Sequence, residues 1–180
     1  AYVSDVLNVT PNLMVMASLR ADYFDSKGEK STDEDDFDQW ALSPKFGLVY
    51  QVISDRVSIF GNYMNAFINV APTTVSDPDG SNSRIKSFKP EHANQWEAGI
   101  KANLFQEKML ATVSYYDIKV SDRVTGVAGN PFDYTQGGKV SSKGFEVDLT
   151  AMPVNGLSLV AGFSHGKTEV ISGNGSDFYG

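Results

Sequence analysis

The chain has 180 residues, a formal net charge of −7 and no cysteine. Its length fits one ordinary domain, and its acidic balance argues against a nucleic-acid-binding protein, which usually carries a basic surface. The absence of cysteine excludes a disulfide framework, a thiolate zinc site and a cysteine nucleophile. No apolar run approaches the roughly 18 residues that a membrane helix needs, and no signal peptide is visible at Ala1.

Apolar and polar residues alternate along the chain in one segment after another. Successive side chains of a strand point to opposite faces of the sheet, so this alternation predicts strands with one apolar and one polar face. The alternation is weak in the first segment, where Asp5 interrupts it, and is nearly without error between Asn94 and Leu104. The predicted strands cover residues 2–9, 13–24, 44–52, 57–67, 94–104, 108–120, 140–151 and 157–169.

One predicted strand, residues 108–120, does not keep a single pattern. Its first half carries apolar residues at odd positions up to Tyr115, and its second half carries them at even positions, namely Tyr116, Ile118 and Val120. A β-bulge would switch the two faces at this point. Alternatively, the second half stands clear of the bilayer, where neither face needs to be apolar.

The connections between the predicted strands alternate in length. Short turns such as 54–56 and 105–107 alternate with long loops at 25–39, 69–91 and 121–138. Outer-membrane barrels have short turns on the periplasmic side and long loops outside, whereas a soluble sandwich has no reason to sort its loops in this way. The sequence therefore predicts an all-β protein, an antiparallel up-and-down meander of about eight strands that is part of a transmembrane β-barrel.

The polar face of the predicted strands is too charged for a dry core. Buried charges are costly unless they are paired, whereas the interior of a wide barrel is wet or filled with protein. Arg20 and Asp22 are placed to pair along this inner face. The charged residues assigned to the inner face are Arg20, Asp22, Lys45, Glu97, Lys101, Lys143, Glu146 and Asp148.

The sequence contains no motif of a catalytic or metal-binding site. The acid run 33–36 lacks the glycine and terminal glutamate of an EF-hand, so it predicts a solvated loop. His92 and His165 fall on different strands, with no carboxylate pattern that would complete a ligand set. No G-x-S-x-G elbow is present, and Glu146 with Asp148 is better explained as part of a polar inner wall. We therefore expect no enzyme activity, no catalytic residue, no metal site and no cofactor.

Four stretches, taken in chain order, carry a family resemblance. Residues 42–50 are similar to a strand of the form S-P-x-x-G-x-x-Y, and residues 58–67 to the strand that follows it. Residues 89–101 resemble a K-P-E…E-x-G-x-K element, and residues 142–147 a strand that contains G-x-E. The ordered series resembles the barrel of TonB-dependent outer-membrane receptors, especially those for ferric siderophores.

The resemblance implies that residues 1–180 are part of a receptor barrel that closes with about twenty-two strands. Neither a plug domain nor a TonB box is visible, so we expect a piece from the middle of the barrel. The resemblance also implies residence in the outer membrane of a Gram-negative bacterium, among its lipids, and a partnership with the TonB complex through parts outside this chain. The ligand would be a ferric siderophore or a similar small nutrient, and no nucleic acid is expected as a partner.

Ligand recognition in such a receptor is expected on the outer loops and the upper inner wall. Aromatic faces for stacking and cations for an anionic chelate suit this ligand. The candidate ligand-binding residues are Trp40, Arg84, Arg123, Phe132 and Tyr134, and each also fits an interfacial or loop-packing role.

Two alternatives stay open on the sequence alone. One is a complete small eight-stranded outer-membrane barrel that acts as an adhesin or structural protein, in which strand one pairs with strand eight. The other is a soluble β-sandwich that binds carbohydrate, in which a dry core separates two sheets.

Overall fold

The computed structural model describes residues 1–26 and 37–173 of the chain. The regular secondary structure of these ranges is entirely β-strand, with eight strands in one sheet and two in a small second sheet. Within the described part, no helix is long and apolar enough to cross a bilayer. The strands are β1 (Tyr2–Thr10), β2 (Leu13–Ser26), β3 (Phe37–Ile53), β4 (Val57–Ile68), β5 (Thr73–Val75), β6 (Arg84–Lys86), β7 (Glu91–Leu104), β8 (Met109–Val127), β9 (Asn130–Ala151) and β10 (Leu159–Ser172).

The large sheet is an antiparallel meander in the order β1-β2-β3-β4-β7-β8-β9-β10, and the predicted all-β, up-and-down architecture is confirmed. Strands β5 and β6 form a hairpin apart from this sheet. In the described ranges, β1 and β10 lie at opposite edges and make no contact, so the first strand does not pair with the last. No second sheet covers the described strands face to face, and the sandwich alternative is wrong.

The strand register brings apolar side chains together on one face of the large sheet, here called the outer face. Phe46, Tyr63 and Trp96 lie in one row across three strands, and the ring centroids of Tyr63 and Trp96 are 4.6 Å apart. Ile100 and Leu159 on the same face are 52% and 50% exposed. Such exposure is expected of side chains that meet lipid rather than a packed core, so their predicted outward orientation is confirmed.

The opposite face of the large sheet, here called the inner face, carries polar and charged side chains. Part of it forms a groove of about 610 Å³, whose lining includes Met16, Lys45 and Lys101. The Nε of Arg20 donates a hydrogen bond to Oδ2 of Asp22 over 2.5 Å. The ion pair predicted along this face is therefore confirmed.

Lys143 is an exception among the charges assigned to the inner face. It lies directly opposite Asp117 on β8 and Lys167 on β10. It is two residues from Phe145, and alternate residues of a strand share a face. Lys143 is therefore on the outer face, and its inner-face assignment is wrong.

Two glycines of the inner face lie beneath aromatic rings from a neighbouring strand. A Cβ at Gly99 would stand 2.6 Å from Cζ of Phe60. A Cβ at Gly144 would stand 2.7 Å from Cα of Gly166 and 2.8 Å from the hydroxyl oxygen of Tyr116. In both places the ring covers backbone that has no side chain of its own, which is a known way of stabilising glycine in a sheet.

The short turns and the long connections lie at opposite ends of the large sheet, as the sequence predicts. Two of the short turns use left-handed backbone, with φ of 60° at Asp55 and of 54° to 66° across residues 105–107. At the other end, here called the loop end, the predicted loop 69–91 contains the β5–β6 hairpin. The acid run 33–36 of the first long loop lies outside the described residues.

The predicted long loop at 121–138 is wrong, because this stretch is a hairpin. Strand β8 continues to Val127 and β9 begins at Asn130. The turn between them uses Gly129, which has a φ of 83°. Outside a bilayer two strands can pair through their backbones without an apolar face, so this extension leaves no alternation in the sequence.

The register of β8 separates the two explanations of its mixed pattern. The strand pairs with β7 and β9 without a shift from Met109 to Val120, so Tyr116 stays on the inner face and a bulge at that point is excluded. The first register shift lies beyond it, between Val120 and Arg123. The polar outer face of this upper half, which includes Lys119, fits a strand that stands clear of the bilayer.

Candidate ligand-binding surface

The β5–β6 hairpin rests against the extended part of β9 at the loop end of the sheet. The amide of Ser76 donates to the carbonyl of Phe132 over 3.0 Å, and Nδ2 of Asn130 donates to the carbonyl of Ser76 over 2.8 Å. The neighbouring side chain of Val75 is completely buried. These contacts attach the hairpin, hereafter the docked hairpin (residues 73–86), to the wall of the sheet.

Lys86 joins the docked hairpin to the next residues of β9. Its Nζ donates to Oδ1 of Asp133 over 3.0 Å and to the carbonyl oxygen of Tyr134. The hydrogen bond from Lys86 holds the pKa of the Asp133 carboxyl below its ordinary value. The same Nζ lies 5.9 Å from the ring centroid of Phe88, whose side chain is buried, so a cation and a small apolar cluster meet at this junction.

The K-P-E element attaches the chain that returns from the docked hairpin to β8 and β9. Gln136 pairs with Lys89 as a backbone would: its Oε1 accepts from the amide over 3.0 Å, and its Nε2 donates to the carbonyl over 2.6 Å. One Glu91 carboxylate oxygen accepts from the amide of Val124 over 2.8 Å, close to the register shift in β8. The element therefore has a structural role, because it fixes the returning loop and satisfies backbone groups of an irregular strand.

Three of the five sequence-predicted ligand residues lie together around the docked hairpin. Arg84 is in β6, and Phe132 and Tyr134 are in the part of β9 on which the hairpin rests. Arg123 is on the adjacent strand β8, opposite Gly138, and is exposed. The arrangement offers aromatic faces and guanidinium groups on one exposed surface, which is suited to a planar, anionic ligand.

Trp40 stands apart from these four residues. It lies opposite Tyr23 on the outer face, with ring centroids 5.0 Å apart, and is 68% exposed. The adjacent Gln39, whose side chain points to the other face, donates through Nε2 to the carbonyl of Phe88 over 2.6 Å. The position of Trp40 is that of an interfacial aromatic residue, and its ligand-binding role stays a prediction.

A second aromatic and cationic cluster lies where β2 and β4 approach each other near the loop end. The guanidinium of Arg20 is 5.4 Å from the ring centroid of Phe67, and Phe67 meets Phe24 edge to face at 5.5 Å. Asp22 holds the same guanidinium by the ion pair described above. The cluster combines stacking surface with a partly neutralised cation.

The sequence analysis did not single out Lys86, Asp133 or Gln136. Their partners are 47 or 48 residues away along the chain, so no local pattern could pair them. The only sequence signal was the K-P-E element, which was recognised as a motif without a physical role.

Metal-binding chemistry is not concentrated anywhere in the described ranges. Among these residues, no group of three or more His, Asp and Glu side chains is placed to hold a metal ion. His165 lies on the outer face with its ring centroid 5.7 Å from that of Phe145, and His92 is on a different strand, β7. The position of His165 agrees with the interfacial role expected for it.

An apolar outer face, a polar inner face, and short turns opposite long connections define the wall of an outer-membrane β-barrel. The family model described as "TonB dependent receptor-like, beta-barrel" matches residues 1–180. The chain belongs to this family, whose members are transport receptors rather than enzymes and lie in the outer membrane of Gram-negative bacteria.

Two curated relatives come from Pseudomonas aeruginosa. The metal-pseudopaline receptor CntO is 26% identical over 132 residues, which are 73% of this chain and 17% of that protein. The ferripyoverdine receptor is 24% identical over 173 residues, which are 92% of this chain and 20% of that protein. This chain therefore spans only about a fifth of the length of these relatives.

Two solved structures share the fold. The ferripyoverdine receptor of the outer membrane of Pseudomonas aeruginosa, bound to ferripyoverdine, aligns with a TM-score of 0.76 at 20% identity, over 96% of this chain and 23% of that chain. The ferric-catecholate import receptor Fiu from K12 E. coli aligns with a TM-score of 0.70 at 18% identity, over 96% of this chain and 28% of that chain.

Proposed function

We propose that residues 1–180 form part of the barrel wall of a longer TonB-dependent receptor, and that the whole receptor imports a ferric siderophore or a similar metal complex. The plug and the partnership with the TonB complex belong to parts outside this chain. The role of this chain is to line the passage and to present ligand-binding residues at the loop end.

The observation that carries this proposal is the separation of the two faces of one continuous sheet. The apolar outer face can stand in lipid, while the inner face supplies charged and polar groups to a hydrated or protein-filled interior. The relatives support the ligand class, because their names describe receptors for pseudopaline–metal and ferripyoverdine complexes.

We propose that Arg84, Arg123, Phe132 and Tyr134 contact the ligand at the loop end. The two guanidinium groups would pair with anionic groups of the chelate, and the aromatic side chains would stack on its planar parts. Trp40 is proposed as a peripheral contact only, since it lies on the outer face.

The test is ligand binding by the purified full-length receptor that contains this chain. A panel of ferric siderophores is titrated while tryptophan fluorescence is recorded, and the double variant R84Q/R123Q is compared with the unaltered protein. Because a hydrogen bond to a charged group contributes about 1.5–3 kcal/mol, we expect the Kd to rise at least about tenfold. The matched control is R56Q, an exposed arginine in a short turn at the opposite end.

Two results would contradict the proposal at different points. If no ferric siderophore or metal complex in the panel binds, the proposed ligand class is wrong. If ligand binds but the double variant and R56Q bind it as tightly as the unaltered receptor, the ligand class stands and the proposed contact residues are wrong.

A further inference from the structure

Lysines cluster on the outer face of β8, β9 and β10, just beyond the apolar band toward the loop end. Lys143 on β9 lies directly opposite Lys167 on β10, and Lys119 on β8 lies opposite Ser141, two residues from Lys143. Neighbouring strands are about 4.8 Å apart, so the three side chains arise within one small patch. The residues that precede them on the same face are Tyr115, Phe145 and Phe163.

This patch is local and not a general property of the outer face. On the described parts of β1 to β4 and of β7, no outer-face residue is a lysine or an arginine. Asn65 and Asn94 occupy positions toward the loop end on β4 and β7, and the strand lysines Lys45 and Lys101 line the inner groove. Simple snorkelling of lysine to the interface would not confine the basic residues to three adjacent strands.

The charges of the patch do not balance. Nζ of Lys119 lies 4.0 Å from a carboxylate oxygen of Asp117, and Lys167 pairs with Glu169. None of the ion pairs found among the described residues includes Lys143. Like charges directly opposite each other across two strands are destabilising, so an anion near Lys143 and Lys167 would be favourable.

The position of the patch determines which anion reaches it. A lipid whose acyl chains cover the apolar band has its headgroup at the level of the aromatic residues and just above them. Lysine ammonium groups bind phosphate as point charges, and basic clusters beside a membrane recognise anionic lipid headgroups. We propose that Lys119, Lys143 and Lys167 form a binding site for a phosphate group of a lipid in the outer leaflet of the outer membrane.

The experiment counts lipids bound to the purified full-length receptor in detergent by native mass spectrometry. The probes are bisphosphorylated lipid A and the same lipid after removal of both phosphates. We expect the unaltered protein to retain the phosphorylated form only. The variant K119Q/K143Q/K167Q is expected to retain it about tenfold more weakly, and the all-arginine variant K119R/K143R/K167R is expected to restore binding because the charge is kept.

The matched control is K45Q/K101Q/K108Q, which removes the same charge from the inner face and from a short turn, and should bind lipid as the unaltered protein does. If the triple glutamine variant does not fold, K143Q alone is measured and is expected to weaken binding. Equal retention by the glutamine variants and the unaltered protein would overturn the site. Equal retention of the dephosphorylated lipid, or displacement of lipid by inorganic phosphate alone, would overturn phosphate-bearing lipid as the ligand. The result is independent of whether a ferric siderophore binds at the loop end.

Discussion

Gly99 is a residue at which one added carbon atom meets atoms that cannot move away. A Cβ there would stand 2.5 Å from the carbonyl oxygen of Val113 and 2.6 Å from the ring of Phe60. We expect G99A to destabilise the full-length protein by about 1–3 kcal/mol, the usual cost of overpacking, as a lower midpoint of thermal unfolding in detergent. G61A is the control, because its Cβ would meet only the carbonyl oxygen of Glu97, at 3.7 Å. Equal midpoints for the two variants would contradict this explanation of Gly99.

The same residue shows what sequence can and cannot establish at a single position. The sequence identified Gly99 as part of an E-x-G-x-K element, and this recognition was correct. It could not give the reason, because Phe60 is 39 positions away and reaches Gly99 only through the pairing of β4 with β7. The outward placement of Ile100 needed only the alternation of its own strand, and was confirmed.

Asp133 predicts a pH dependence for the contact between the docked hairpin and β9. The hydrogen bond from Lys86 lowers the pKa of this carboxyl from its ordinary value of 3.8. The stabilisation is therefore complete above the ordinary pKa, and is lost as the pH falls through the lower pKa of the folded state. Spin labels at S81C and A128C should report a narrow distance distribution near neutral pH and a broader one below about pH 3.8.

The variant D133N separates this effect from general acid unfolding. It should broaden the distance distribution near neutral pH and reduce the change on acidification, whereas K89M should behave as the unaltered protein because Lys89 contributes main-chain atoms to these contacts. A distribution in D133N that is narrow near neutral pH and broadens as before would show that the Lys86–Asp133 contact does not hold the hairpin.

At the scale of an element, the attachment of the 69–90 segment depends strongly on one side chain. Gln136 makes hydrogen bonds to both backbone groups of Lys89 and to the carbonyl of Asp122, the last over 2.8 Å. We expect Q136A to cost about 1–3 kcal/mol of local stability, because backbone groups lose their partners. Amides of residues 73–91 should then exchange hydrogen about tenfold faster. Q95A on the inner face of β7 is the control, and equal exchange in both variants would exclude this role of Gln136.

The elements themselves divide into those that alternation could predict and those that it could not. The portions that cross the lipid, such as residues 94–104, show a clean pattern because each face meets a different solvent. The stretch 121–138 was interpreted as a loop because both of its faces are polar, yet it forms paired strands. The docked hairpin was likewise missed, since three-residue strands such as Thr73–Val75 are too short to show a period.

For the whole molecule, two features of the sequence were sufficient to predict the fold. Loop length sorted by parity gave the up-and-down order, and charged residues on the polar face excluded a dry sandwich. Neither feature could give the docking of the loops, because those contacts join residues such as Ser76 and Asn130 that are 54 positions apart. Ligand-binding positions are therefore less predictable than the wall that carries them, and they depend on how distant loops meet.

The orientation of the entire wall is tested by placing one charge on either face of the same strand. Ile100 lies near the middle of the apolar stretch of β7, so I100K would put an ammonium group into hydrocarbon at a cost of about 2–4 kcal/mol. Q95K puts the same group on the inner face, where it meets water or protein. We expect I100K in the full-length receptor to lower both the amount assembled in the outer membrane and the denaturant midpoint of the assembled protein. Q95K should leave both quantities nearly unchanged. The opposite ranking would mean that the apolar face does not meet lipid, and the division into outer and inner faces would then be wrong for every strand at once.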